Sequence, residues 1–163
     1  MERIVDVAQY IYEEYKRQSG ESIDEMKLHK LLFLTQRESI ALTNEPMFPE
    51  HFEGWKYGPV CREVRVNYTE DGMNMQDIRK ISLENAYIAK NIILQYGALA
   101  SWKLSRISHD ELSRKNSRKG LQPNDNENII ISMEDIRKDA ENVRPYDSVW
   151  DMYYDEFDDA EVI

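Results

Sequence analysis

One cysteine, six glycines, five prolines and three histidines in 163 residues leave little room for several kinds of chemistry. A single thiol, Cys61, excludes an internal disulfide framework and any cysteine-rich zinc or iron–sulfur site. His29, His51 and His109 stand far apart, with no His-x-x-x-His or Glu-x-x-His spacing, so no metal is expected. The glycines never recur at the spacing of a phosphate-cradling loop. The clearest apolar runs, Leu31-Leu32-Phe33-Leu34 and Ile129-Ile130-Ile131, fall far short of the ~20 residues that a spanning helix needs. Charge at Glu2, Arg3 and Asp6 comes too early for the apolar stretch of a signal peptide. A cytoplasmic protein of one domain, without cofactor or membrane contact, is the expectation. The sequon Asn67-Tyr68-Thr69 then carries no meaning.

Positive charge is lacking from one end of the chain. Residues 1–120 hold 18 Lys and Arg against 18 Asp and Glu, whereas residues 121–163 hold 3 against 13, the whole of the net charge of −10. Such a segment repels phosphates, so nucleic acid is not an expected partner and a basic protein surface is. The basic cluster Arg114, Lys115, Arg118 and Lys119 is the one candidate phosphate patch. Four charges make a modest footprint, and pairing with the acidic end or plain solvation accounts for them as well.

What is present is helical periodicity. Ile4, Val7, Ala8, Ile11 and Tyr15 make one face of a first helix ending near Gly20. Ser22 and Glu25 have the spacing of a capping box, opening a helix to about Asn44 with Leu28, Leu31, Leu32, Thr35, Ser39 and Leu42 on one side. Pro46 and Pro49 enforce a loop, with a short strand around Glu50 to Lys56. Gly58-Pro59 reads as the start of a third helix that stops at Asp71-Gly72, with proline at the first helical position. Ser82 caps a helix through Tyr96, and a shorter one follows from Ala98 to Ile107. Residues 113–128 read as a polar loop with a turn of helix, Ile129 to Ile131 as a short strand, and Ser132 as the cap of a helix towards Val143. The fold class is therefore mainly α: six to seven helices in one domain over 1–143, with at most a short β-hairpin or strand pair.

Beyond it, residues 144–163 form an acidic aromatic segment. Trp150, Tyr153, Tyr154 and Phe157 recur at helical spacing among Asp151, Asp155, Asp158 and Asp159. The stripe reads either as a last helix docked on the body or as a segment inserting aromatics into a partner. No catalytic constellation stands out. Cys61 reads as a small buried thiol, and Glu53, among Phe52, Trp55 and Tyr57, as part of a packed corner. A hydrolase or transferase would need Cys61, His109 and Glu53 to meet in one cleft.

Two segments resemble a known family. Lys27-Leu28-His29-Lys30-Leu31-Leu32-Phe33 is similar to a pattern of Lys-Leu, one variable residue, then Lys-Leu-Leu and an aromatic. Phe52-Glu53-Gly54-Trp55-Lys56-Tyr57-Gly58-Pro59-Val60 is similar to a signature of Phe-Glu, a variable residue, Trp, a variable residue, Tyr-Gly-Pro-Val. Together they resemble the Panacea-domain family of SocA-like, phage-associated antitoxins, over residues 1 to about 140. Ser108-His109 and Arg118-Lys119-Gly120-Leu121 are similar to later landmarks, but Leu112-Ser113-Arg114 stands where the family commonly has Pro-Trp. The resemblance implies a mostly helical, non-enzymatic antitoxin that neutralises a cognate toxin, encoded by the adjacent gene, by direct protein binding. The alternative is a phage-type counter-defence inhibitor whose acidic surface mimics nucleic acid. Gly58 and Pro59 then shape the signature corner. Lys27, Lys30, Trp55, Tyr57 and His109, with Trp150, Tyr153, Tyr154 and Phe157 of the tail, are the candidate partner-binding residues.

Overall fold

The computed structural model describes residues 1–109, 111–120, 129–147 and 149, the side chains of Ser108, His109, Leu112 and Arg114 excepted. The first helix, α1 (Ile4–Ser19), buries the predicted face, with Ile4, Val7, Ala8 and Ile11 fully covered. It ends on Gly20, whose φ of 77° turns the chain so that its N–H reaches the Lys16 carbonyl.

The central element is α2 (Glu25–Thr43). Its cap is Asp24, whose carboxylate accepts from Lys27 N at 2.8 Å, and not the expected Ser22. A carboxylate both takes an orphan N–H and complements the positive helix end, so it outcompetes the hydroxyl two residues earlier. From Leu28 to Ile40 every residue is buried, polar ones included. Such a helix survives in a core only because its polar side chains strut neighbouring segments. Gln36 accepts from Met47 N at 2.8 Å and donates to Phe48 O at 2.7 Å, and Ser39 donates to Glu45 O at 2.9 Å. Leu42 is 48% exposed, contrary to the periodic reading, because the helix leaves the core just beyond Ile40.

A hairpin follows, β1 (Glu53–Trp55) against β2 (Gly58–Val60), in the register Trp55↔Gly58, Gly54↔Pro59 and Glu53↔Val60. Pro59 therefore lies in a strand, and the next helix, α3 (Arg62–Asn67), begins with Cys61 at its cap. A two-residue loop usually places positive φ on its central residues. Here Lys56 and Tyr57 avoid it and Gly58 takes φ 126°, a value that favours glycine. The chain beyond Asn67 makes a second hairpin, β3 (Tyr68–Thr69) with β4 (Gly72–Met73).

Ser82 caps α4 (Leu83–Tyr96) by accepting from Asn85 N at 3.2 Å, and Gly97 closes it. Then come α5 (Ser101–His109), α6 (Leu112–Ser117) and α7 (Met133–Glu141), the last capped by Ser132 as expected. The Ile129–Ile131 stretch runs beside β1, with Ile131 N donating to Phe52 O at 2.7 Å and Gly54 N to Ile129 O at 3.0 Å. Helices α1, α4, α5 and α7 all pack on α2. Phe33, Phe48 and Phe52 meet edge to face, with centroids 5.5 and 5.9 Å apart. Seven helices and two small strand pairs make the described body mainly α. No described helix is long and apolar enough to cross a membrane.

Candidate partner-binding site

The β1–β2 hairpin lies against the first half of α2, and the two together enclose a pocket of about 240 Å3. Glu25, Met26, His29 and Lys30 supply one wall, a stripe with helical spacing along α2. Trp55, Tyr57, Gly58, Pro59 and Val60 supply the other, and Arg65 of α3 closes the end. Four of the residues in the Trp-x-Tyr-Gly-Pro signature thus line a single concavity with Lys30.

Trp55 is fixed from both sides. Its indole N–H donates to Glu53 Oε2 at 3.2 Å, and the same buried carboxylate takes Arg62 Nε at 2.8 and 3.0 Å. The Arg65 guanidinium lies 4.9 Å from the indole centroid, a cation–π contact, and 3.6 Å from Glu25 Oε2. Tyr57, 57% exposed, stands at the hairpin tip with the Lys56 ammonium 4.9 Å from its ring. Its carbonyl accepts from Ser105 of α5 at 3.3 Å.

His29 is 2% exposed, and its Nδ1 accepts from Cys61 N at 3.3 Å. Burial, with Arg65 and Lys30 nearby, pulls its pKa down to about 4. The ring is neutral, so the remaining proton sits on Nε2, and that N–H has no hydrogen-bond partner among the described residues. Lys30 is equally buried; its ammonium donates to Ser101 O at 3.3 Å, and burial lowers its pKa. Lys27, expected on the same side, diverges. Its ammonium reaches Gly97 O at 2.9 Å and Tyr15 OH at 3.3 Å, 5.3 Å from the Tyr15 ring centroid. The two lysines hold the two ends of the α4–α5 connection.

His109 ends α5, with its side chain outside the described residues; Trp150, Tyr153, Tyr154 and Phe157 also lie outside them. In the basic cluster, Arg118 donates to Gly54 O at 3.0 Å and is committed to the fold. Cys61 is buried and donates to Glu63 Oε2 at 3.0 Å, and burial pushes its thiol up to about 12. A thiol so far from its thiolate is a poor nucleophile. His29, Met26 and Arg65 escaped the sequence reading as site residues. The legible signal was the helical stripe Glu25, Met26, His29 and Lys30, in which His29 stood as the variable position of a motif.

A second cavity, about 530 Å3, opens between Arg37, Tyr96, Ile107, Glu111, Asp139 and Asn142. Arg37 pairs with Glu111 and donates to Tyr96 OH at 3.2 Å. Burial and the neighbouring Asp139 carboxylate raise the Glu111 pKa to about 7 against the pull of Arg37.

The fold and pocket define a small, mainly helical protein with a pocket beneath an aromatic hairpin tip. The model of a family described as antitoxin SocA-like, Panacea domain, matches residues 28–113, more than half of the chain, and the protein belongs to that family. No curated protein and no solved structure matches it. The match is narrower than the resemblance over residues 1 to 140, yet it takes in every pocket residue except Glu25 and Met26.

Proposed function

We propose that this protein is the antitoxin of a toxin–antitoxin pair and neutralises its toxin by direct protein–protein binding, without catalysis or cofactor, in the cytoplasm. The observation that carries the reading is that the segment matching the antitoxin family contains the aromatic rim and all of the pocket lining but Glu25 and Met26. Tyr57 and Met26 are exposed beside the pocket. Trp102, 59% exposed, follows Ser101 and precedes Ser105, both of which bond to pocket residues. Exposed aromatics around a concave anchor are the anatomy of a binding face. Lys30, Trp55, Tyr57 and His109 belong to this face in our reading, and Lys27 supports it by holding the α4–α5 connection. Residues 144–163 add a second contact, with Trp150, Tyr153, Tyr154 and Phe157 meeting the toxin and the acids meeting its basic rim.

The test is growth of a bacterial host expressing the adjacent open reading frame, alone and with this protein. Toxicity that disappears on co-expression, with the two proteins purifying together, is expected. Toxicity without rescue overturns the reading. In that event, binding to a nucleic-acid-handling protein, competed by DNA and weakened by salt, would mark the counter-defence alternative.

A further inference from the structure

The geometry points to the hairpin pocket as the receptor for a single acidic side chain, Glu or Asp, projecting from the partner protein. The inference rests on the antitoxin reading for the identity of that partner. His29 carries the first argument. It lines the pocket, is 2% exposed and leaves an N–H on Nε2 unanswered, while Nδ1 is occupied by the Cys61 amide. A buried donor of this kind calls for an acceptor, and nothing in the described fold provides one.

Charge selects the acceptor. The lining holds two cationic residues, Lys30 and Arg65, and one carboxylate, Glu25, so the pocket has a net positive charge in a chain of net charge −10. Arg65 sits 3.6 Å from Glu25, longer than a direct hydrogen bond, and its planar fork can pair a second carboxylate while it rests on Trp55. Met26, Pro59, Val60 and the Trp55 ring give apolar walls for the methylene stem of such a side chain. Size suits one side chain: about 240 Å3 is below the roughly 300–1,000 Å3 typical of small-molecule sites. One acidic anchor on an otherwise basic toxin face would set the register of docking, since the pocket cations attract it while the acidic residues of 121–163 repel it.

The experiment uses two variants in the full chain. His29→Asn keeps an acceptor for the Cys61 amide and removes the Nε2 donor. Arg65→Gln changes a half-exposed side chain and removes the cation. With the toxin identified by rescue, each variant should raise the Kd for it by roughly tenfold or more, Arg65→Gln with its thermal midpoint near wild type and the buried His29→Asn measured at a temperature where its circular dichroism shows it folded. A Glu→Gln or Asp→Asn scan of the toxin should find one position with the same loss, and none further when combined with His29→Asn. Wild-type Kd in both variants, or a scan without such a position, overturns the acidic anchor and leaves the antitoxin reading standing. If the wild type rescues nothing, the antitoxin reading fails, and the pocket is tested by NMR with N-acetyl-glutamate amide and its glutamine counterpart. Shifts of the His29 and Trp55 ring N–H signals with the glutamate probe alone support the carboxylate preference. Equal shifts, or none, overturn it.

Discussion

Gly54 stands where β1, α6 and the Ile129 stretch converge, and replacing it with alanine tests that junction. Its N–H donates to Ile129 O at 3.0 Å, and its carbonyl takes Arg118 Nη1 at 3.0 Å, so the backbone has no freedom to retreat. An added Cβ would fall well inside van der Waals contact of Ser117 Oγ, 3.2 Å from Ser117 Cβ and 3.3 Å from Arg118 Cγ. The hydroxyl can rotate away, but the Cβ is tied to the helix, so α6 must shift. Overpacking of this kind costs about 1–3 kcal/mol. For a chain of this length that corresponds to a fall in the melting midpoint of roughly 2–12 °C. Ser117→Ala should relieve part of the clash, because it removes the nearest atom and leaves a contact only a few tenths of an ångström too short. Thermal and urea unfolding of wild type, Gly54→Ala, Ser117→Ala and the double variant should give a favourable coupling of about 1 kcal/mol, the cycle subtracting whatever Ser117→Ala costs alone. A Gly54→Ala protein within about 0.5 kcal/mol of wild type, or strict additivity, would refute the close approach.

Two further tests concern charged groups packed around α2. Lys27→Met should lower stability by about 1–2 kcal/mol, because it strips a cation from the Gly97 carbonyl and the Tyr15 ring. Its effect on toxin binding should be small beside that of Arg65→Gln; a Lys27→Met protein of unchanged stability but lost affinity would place the side chain at the partner instead. The pH dependence of stability should reflect two carboxyl groups opposed by one imidazole. Glu111, whose pKa is raised to about 7, contributes stability that is fully present below its ordinary value of 4.5 and lost as pH rises through 7. Glu38, also raised by burial, acts in the same direction. His29, whose pKa is lowered to about 4, contributes stability present above 6.5 and lost as pH falls towards 4. Urea midpoints between pH 4.5 and 8 should therefore rise more steeply with pH in Glu111→Gln than in wild type, and fall in His29→Asn. Parallel curves for all three proteins would show that neither group is held as described.

The chain order of the helices is legible because it rests on local rules. Apolar spacing, Gly20, Ser82, Gly97 and Ser132 act within a turn or two of their own position, and the structure places helix ends at each of them. Where two local signals competed, sequence alone chose wrongly. Ser22 and Asp24 both qualify as caps, and Gly58-Pro59 suits a helix start as well as the exit of a hairpin turn. The second choice depends on the partner strand at Glu53 to Trp55, which is not written in residues 58–60 themselves; the positive φ at Gly58 suits either.

For the site, the sequence by itself determined the family motifs, the cluster of aromatics ahead of Gly58, and the absence of disulfide, cysteine-rich metal and phosphate-loop signatures. It could mark Lys27 and Lys30 as neighbours, because three residues on a helix set an angle. Only the tertiary structure decided that they part company, one gripping Gly97 and the other Ser101. Only the fold made a pocket residue of His29, since a buried N–H is orphaned or satisfied by atoms dozens of residues away. Local rules fix where the chain turns and which face it covers. The unmet hydrogen bond and the balance of charge in a pocket arise from long-range packing, which sets atoms dozens of residues apart against one another.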